Sequence, residues 1–166
     1  MLNVIAVLLG LIFVALVFIA RDLRVLAQAR AKHKGKRESV IGFGPALIPA
    51  GESVIYSVSP SSEFDGERLI VPSSLANNFI VDDIAVGGES QALSANGIPA
   101  AAFSELAVGV NLGLKTAKKD TALKLKISNS SKESQTFSAA LIGYVAKDAE
   151  LGTSARATIE PATGAP

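Results

Sequence analysis

The amino-acid sequence predicts a mainly β protein: an N-terminal transmembrane α-helix, then a single antiparallel β-sandwich, a jelly roll of about eight strands. Three observations predict this architecture. Residues 2–20 form an apolar run without a charged side chain. From residue 39 onward, apolar and polar residues alternate in short runs, as they do in half-buried strands. Gly, Pro and Asn separate these runs without an intervening helical stretch, which favours an antiparallel sandwich.

The first predicted element is a membrane-spanning helix at residues 1–20. A helix over residues 2–20 rises about 28 Å, close to the roughly 30 Å of a bilayer's hydrocarbon core. The residues expected to span the membrane are Leu2, Val4, Ile5, Leu8, Leu9, Leu11, Ile12, Phe13, Leu16, Phe18 and Ile19. A cleaved signal peptide is the alternative, because Ala27-Gln28-Ala29 resembles a small-x-small cleavage site. The span is favoured because no basic residue precedes the apolar run and because Arg21 and Arg24 precede that site.

A basic segment, residues 21–37, follows the apolar run with seven Lys or Arg and one acidic residue. We predict a helical stalk that runs to about residue 34 and stops at Gly35. The positive-inside rule then places the C-terminal domain on the cytoplasmic side and the N-terminus outside. We expect these side chains to contact lipid headgroups or a partner, and we favour lipid over nucleic acid. They are Arg21, Arg24, Arg30, Lys32, Lys34, Lys36 and Arg37.

The β-sandwich is predicted at residues 38–147. Its candidate strands are residues 40–43, 54–58, 68–71, 79–86, 90–93, 110–115, 121–128 and 137–145. The last of these, FSAALIGYV, is apolar on nearly both faces, which predicts a central strand. Helical turns are predicted at residues 73–77 and 99–106, and Pro45 and Asp65-Gly66 are predicted turn positions. An immunoglobulin-like sandwich is the alternative, but the chain has no Cys and no Trp, the landmarks of that fold.

The remaining tail, residues 148–166, consists mainly of small and polar residues and contains Pro and Gly. It offers little apolar surface for a core. We therefore expect a flexible extension, or one that a partner orders.

The residues of the sandwich do not predict catalysis. The only His is His33, in the basic segment, and the chain has no Cys, which excludes a Ser-His-acid triad within the domain and a thiolate metal site. The best acidic pair is Asp82-Asp83. Adjacent strand residues point to opposite faces, so we expect these two not to converge on one ion. We predict no enzyme, no catalytic or metal site, no cofactor and no small-molecule substrate.

The charges of the sandwich are segregated along the chain. Residues 38–105 carry nine acids and one Arg, whereas residues 115–147 carry seven Lys and two acids. A solvated sheet face is one interpretation. The other is that the basic side of one copy contacts the acidic side of the next, an assembly that salt would loosen. The residues expected in such contacts are Lys115, Lys118, Lys119, Lys124, Lys126, Asp82, Asp83 and Glu89.

Three stretches carry a resemblance to a known class of protein. They are ERLIVPSSLANNFIVDDIAVGGESQ at residues 67–91, IPAAAFSE at 98–105 and FSAALIG at 137–143. Residues 43–144 resemble the small β-sandwich, jelly-roll-like virion proteins of bacteriophages. The resemblance implies a viral structural role, with copies of itself or other capsid proteins as partners.

The predicted membrane anchor departs from a plain capsid jelly roll and favours a bacteriophage with an internal membrane. The domain would then lie between that membrane and the capsid, or form part of the capsid, and the lipid bilayer is a further expected partner. A cellular single-pass inner-membrane adaptor with a protein-binding β-sandwich is the alternative. A secreted or periplasmic ligand-binding domain is a third possibility, and it needs the opposite topology.

Overall fold

The computed structural model describes residues 34–91, 94, 96–147 and 156–161. The predicted spanning helix at residues 1–20 and the predicted stalk up to residue 33 lie outside the described residues. In the part of the chain that is described, no helix has the length and apolar character needed to cross a bilayer. A boundary between two compact units falls after Gly35, and the unit that begins at Lys36 contains the strands described below.

This unit is mainly β, as the alternating pattern predicts. Its strands are β1 Lys36–Ile48, β2 Ser53–Ser59, β3 Phe64–Ile70, β4 Phe79–Val86, β5 Glu89–Ser90, β6 Ile98–Pro99, β7 Leu123–Asn129, β8 Gln135–Ala146 and β9 Arg156–Pro161. Helix α1, Ser73–Ala76, and a 3-10 helix, Ala100–Phe103, lie where the two helical turns were expected.

The strands form two antiparallel sheets. Sheet A has the order β1-β8-β3, and sheet B has the order β5-β4-β7-β2-β9 with β6 also beside β4. Residues 112–117 run along the free edge of β3. The amides of Leu112 and Leu114 donate to the carbonyls of Glu67 and Gly66 at 2.7 and 3.3 Å, and Phe64 and Ala117 exchange both backbone hydrogen bonds at 2.9 Å. This segment therefore acts as an irregular fourth strand of sheet A.

An aromatic cluster joins the two sheets face to face. Tyr56 of sheet B packs against Phe43 and Phe137 of sheet A, with ring centroids 6.3 and 5.7 Å apart. Phe79 of sheet B meets Phe137 edge to face at 4.9 Å. All four side chains are at most 3% exposed, so they form the centre of one core that both sheets share.

Two predicted turn positions lie inside strands. Strand β1 is longer than predicted because it pairs with β8 along its length, and Pro45 lies at a register shift between Phe43 and Ala46. The pair Asp65-Gly66 lies within β3. A Cβ atom on Gly66 would lie 2.9 Å from Leu114 Cδ1, so this glycine marks a close approach of side chains, and the inference of a turn was wrong.

The tail contains a strand where the sequence predicted a flexible extension. Residues Arg156–Pro161 form β9, which pairs antiparallel with β2 from Val54↔Pro161 to Ser59↔Arg156. The side chains described in β9, those of residues 158–161, are all exposed. Backbone hydrogen bonds to β2 therefore hold this strand in place. The sequence did not predict it because the tail has few apolar residues.

Asn129 is the one buried polar side chain among the described residues, at 1% exposure. Its Nδ2 donates to the carbonyls of Ile48 and Glu133 at 2.8 Å each. Its Oδ1 accepts from the backbone N and the Oγ of Ser131 at 2.9 and 2.7 Å. Since every donor and acceptor has a partner, this amide joins the end of β1 to the β7–β8 turn without an unpaired polar group.

Gly143, in the middle of β8, leaves no room for a side chain. A Cβ atom there would overlap the carbonyl oxygen of Asp65 and lie 2.6 Å from Phe64 Cζ. We expect Gly143→Ala to lower the free energy of unfolding by about 2–3 kcal/mol, because the two central strands must move apart. Urea denaturation of the full chain in detergent measures this change.

The matched control is Gly42, in the neighbouring strand β1, where a Cβ atom meets nothing within 4 Å. We expect Gly42→Ala to change the free energy of unfolding by less than about 1 kcal/mol. Equal midpoints for the two variants would contradict the register of β8.

Tyr56 places a hydroxyl in the core that has no hydrogen-bond partner among the described residues. Burial raises the pKa of this phenol to about 12. Because Tyr56→Phe removes an unpaired polar group, we expect it to raise the free energy of unfolding by about 1 kcal/mol at pH 7.

The same substitution changes the pH dependence of stability. The folded state keeps the Tyr56 hydroxyl protonated at pH values above its ordinary pKa of 10.0. The contribution of this raised pKa to the free energy of unfolding is therefore complete below pH 10 and is lost as pH rises towards 12. Tyr56→Phe should therefore lose less stability than the wild type over this interval. Urea denaturation of both proteins at about pH 8 and about pH 11 measures this difference, and equal losses of stability would contradict the burial of the Tyr56 hydroxyl.

Candidate assembly surfaces

The two sheets present outer faces of different chemistry. Along β7 the inward residues Leu123, Leu125 and Ile127 are buried, so the alternate residues Lys124 and Lys126 point outward on sheet B. Along β8, buried residues alternate with residues that point outward from sheet A. The outward residues include Ala140, Ile142 and Tyr144. Sheet B therefore has a charged and hydroxyl-rich outer face. On sheet A the central strand presents mainly small and apolar side chains, and the charged residues lie on the two flanking strands: Lys36, Glu38, Asp65, Glu67 and Arg68.

Both Asp82 and Asp83 lie on the outer face of sheet B, which corrects the expectation that they point to opposite faces. The register between β4 and β7 shifts between Val81 and Asp83. Two residues therefore separate the buried positions Val81 and Ile84, as in a β-bulge. Ser128 Oγ donates to Asp82 Oδ2, and Ser90 Oγ donates to Asp83 Oδ1.

The two carboxylates thus bind different serines. Over the described stretches from residue 34 to 161, no group of three or more His, Cys, Asp or Glu side chains is placed to hold a metal ion.

The lysines of β7 lie beside the acidic strand β4 in the same chain. Lys126 is the register partner of Asp83, and Lys124 is the partner of Ala85. On their other side lie Ile55 and Ser57 of β2. A contact between the basic side of one copy and the acidic side of the next requires the two charges to lie on different sides of the sandwich. Lys124, Lys126, Asp82 and Asp83 instead lie on the same face of sheet B, so these residues do not meet that requirement.

The remaining residues of the predicted assembly contacts lie at one end of the domain. Lys115 Nζ and Glu89 Oε2 form an ion pair at 2.8 Å, with both side chains more than half exposed. Such a pair adds little stability. Lys118 and Lys119 are exposed just before β7. Glu89, Lys115 and Lys118 also line a solvent-open cavity of about 220 Å³.

The last two basic residues of the predicted stalk at residues 21–37 belong to the β domain. Lys34 and Gly35 form a turn, and Lys36 and Arg37 already belong to β1. Lys36 Nζ pairs with Asp65 Oδ2 of β3. These two basic residues are therefore part of the β domain, and the other basic side chains of the segment, Arg21, Arg24, Arg30 and Lys32, lie outside the described residues.

The outer face of sheet A is a surface that the sequence did not single out. Its central row runs across three strands from Val40 through Ile142 to Arg68, and the next row runs from Gly42 through Ala140 to Ile70. Val40 is 58% exposed. The apolar character of FSAALIGYV correctly predicted that β8 is central, but no described element covers its outer side.

A loop with exposed apolar side chains borders this face. Leu106 and Val108 are 76% and 96% exposed. The loop is held near β3 because Arg68 Nη2 donates to the Ala107 carbonyl at 3.2 Å. It is held near α1 because the Glu105 carboxylate accepts from the backbone N and Oγ of Ser73, both at 2.7 Å.

The hydrogen bond from the Ser73 hydroxyl holds the pKa of Glu105 below its ordinary value. The apolar side chains of this loop are thus presented by a backbone that is fixed on both sides.

The pairing of Lys126 with Asp83 can be tested by reversing one charge. Lys126→Glu places a carboxylate directly opposite Asp83, and we expect it to lower the free energy of unfolding by about 0.5–1 kcal/mol at low salt. Lys124→Glu is the matched control, because its cross-strand neighbours Ala85 and Ser57 are uncharged. It should change stability by less than half as much. Urea denaturation at two salt concentrations measures both, and an equal effect of the two variants would contradict this register.

The chain was compared with protein-family models, with curated proteins and with solved structures, and none of these comparisons finds a match. Its function is therefore inferred from its own residues: the order of its strands, its N-terminal apolar run and the chemistry of its two outer faces.

Proposed function

We propose that this chain is a non-enzymatic structural protein of a virion. In this proposal it is a membrane-anchored jelly roll that forms part of the capsid, or links the capsid to the membrane, of a membrane-containing bacteriophage. The observation that carries the jelly-roll part of the proposal is the order in which the strands pair.

A jelly roll is a long antiparallel hairpin of eight strands rolled into two sheets, so the first strand pairs with the eighth, the second with the seventh, and so on inward. Here β1 pairs with β8, and β2 pairs with β7. Residues 112–117 lie along β3, and β4 pairs with β5. The rolled arrangement also needs β8 beside β3 and β7 beside β4, and both pairs are present. Strand β9 is then an addition beside β2.

Capsid domains are one of the classes that use this architecture, and the fold by itself does not choose among the classes. Two features of the sequence favour a capsid with a membrane. Residues 2–20 are long and apolar enough for a transmembrane helix. The stretches at residues 67–91, 98–105 and 137–143 resemble virion proteins.

The outer faces of the sheets agree with a protein that packs against others. Val40 is exposed on the edge strand β1, with Ile142 of the central strand beside it, and adjoining apolar side chains on a sheet face favour an interaction surface. The basic residues between positions 21 and 32 would keep this domain on the cytoplasmic side of the host inner membrane. A phage membrane derived from that bilayer would then carry the domain on the side that meets the capsid.

The proposal predicts where the protein is found. In cells that carry the gene in its natural genome, released particles purified on a density gradient should contain the chain together with lipid and nucleic acid. Mild detergent should release lipid from these particles. Recovery of the chain only from the host inner membrane, with none in particles, would overturn the viral role and favour the cellular adaptor.

The anchor has its own control. Leu9→Arg with Phe13→Arg puts two charges into the apolar run and should move the chain from the membrane to the soluble fraction. Leu9→Ala with Phe13→Ala keeps the run uncharged and should leave the chain in the membrane. If the arginine variant stays in the membrane after alkaline extraction, residues 2–20 are not the anchor.

A further inference from the structure

We infer that strand β9 forms a contact between two copies of this chain. It pairs antiparallel with β9 of a second copy about a two-fold axis through Thr158, so that Arg156 of each copy lies opposite Glu160 of the other. The inference rests on the proposed structural role in taking a second copy as the partner. It adds the strand, the register and the residues that form the contact.

The free edge of β9 is the first step. Strand β9 is the last strand of sheet B on the side of β2, and within the described residues no strand pairs with its other edge. Backbone N–H and C=O groups along this edge are therefore open to a further strand. Another chain can add to such an edge by the same antiparallel pairing that joins β9 to β2.

The position of β9 beyond sheet A is the second step. Tyr56 of β2 packs against Phe43 of β1, so β1 lies over β2, and β1 is the last strand of sheet A on that side. Strand β9 lies one strand further out than β2. In agreement with this position, Ile159 is the register partner of the buried Tyr56 but is 48% exposed. No described strand of sheet A therefore stands between the free edge of β9 and a second copy.

The order of charges along β9 is the third step. Its outward positions are those that pair with the outward residues of β2, and they are Arg156, Thr158 and Glu160. Its inward positions carry no charge, and they are Ala157, Ile159 and Pro161. The outward row thus consists of one cation, one neutral residue and one anion at equal spacing.

The symmetry of this row selects a second copy as the partner. In an antiparallel pair centred on Thr158, each Arg156 lies opposite Glu160 of the other copy, and the two threonines lie opposite each other. One contact thus sets opposite charges against each other at both of its ends, as a self-complementary, isologous interface requires. A partner strand with charges of a single sign would place a like charge opposite one end of the row.

The register centred on Thr158 is favoured over its neighbours. Centring the pair on Ile159 takes Arg156 out of the pairing and brings in Pro161, which has no N–H to donate. Centring it on Ala157 takes Glu160 out. A centre between two residues would set an outward position opposite an inward one, which an antiparallel pair does not allow about a two-fold axis.

Charge reversal tests the inference on the full chain in detergent. Glu160→Arg alone and Arg156→Glu alone each place like charges opposite each other at both ends of the contact. We expect each to weaken dimerisation, measured by sedimentation equilibrium, by about fivefold or more. The double variant, Arg156→Glu with Glu160→Arg, restores both pairs and should dimerise like the wild type. Self-association that is equal in all four proteins would overturn the inference.

These substitutions leave the pairing of β9 with β2 in place, because Arg156 and Glu160 lie opposite the uncharged residues Ser59 and Ile55. The matched control is Lys124→Glu, which makes the same change of charge as Arg156→Glu on the outer face of β7, two strands away from β9. It should leave dimerisation unchanged. A loss equal to that of Arg156→Glu would mean that net charge causes the effect, and it would overturn the assignment of the contact to β9.

Cross-linking gives a second readout that does not depend on affinity. The chain has no Cys, so Thr158→Cys introduces a single thiol next to the two-fold axis, and oxidation should give a disulfide-linked dimer. The control is Ser57→Cys, at the register partner of Thr158 on β2. In the dimer the two Ser57 positions are about 14 Å apart, which is three strand spacings and too far for a disulfide.

Equal linking of the two cysteine variants, or no linking of Thr158→Cys, would overturn the contact. The presence of the chain in virions is measured separately by the particle experiment, so failure of this contact and failure of the structural role are distinguishable.

Discussion

The face-to-face packing of the two sheets around Tyr56, Phe43, Phe137 and Phe79 is the constraint on which the rest of this structure depends. These rings come from β2, β1, β8 and β4. Their contacts join four strands that are far apart in the sequence. Once they are buried, the alternation of each strand decides which residues face water. The core has few aromatic residues to use, since the chain has seven Phe, two Tyr and no Trp. Aliphatic side chains of both sheets fill the space around the cluster.

The same constraint creates the difference between the two outer faces. Strand β8 is central in sheet A, and its outward residues are small or apolar, whereas β7 is central in sheet B and its outward residues are Lys and Ser. A sheet face whose central strand presents small and apolar side chains can pack against another surface, while a face of lysines and serines stays solvated. This asymmetry is the physical basis for the proposed structural role.

The connections between strands are held by polar contacts at the ends of the sheets. The Asn129 amide joins the end of β1 to the β7–β8 turn. Arg68 and Glu105 hold the loop that carries Leu106 and Val108. Fully paired polar groups of this kind specify one arrangement of the loops, because any displacement leaves a donor or acceptor unpaired. The loop that carries Leu106 and Val108 is therefore fixed in one position next to β3 and α1.

The sequence by itself determined the elements whose pattern is local. The alternation of apolar and polar residues predicted strand β4 with the bounds that the structure shows. A run that is apolar on both faces predicted that β8 is the central strand of its sheet. Only the tertiary structure decided the full length of β1, the presence of β9 and the bulge that turns Asp82 and Asp83 to one face. It also decided that the lysines of β7 lie beside those aspartates. The reason is that the alternation of residues within one strand is local and determines which side chains share a face. Which strands are neighbours depends on hydrogen bonds between segments that are distant in the sequence.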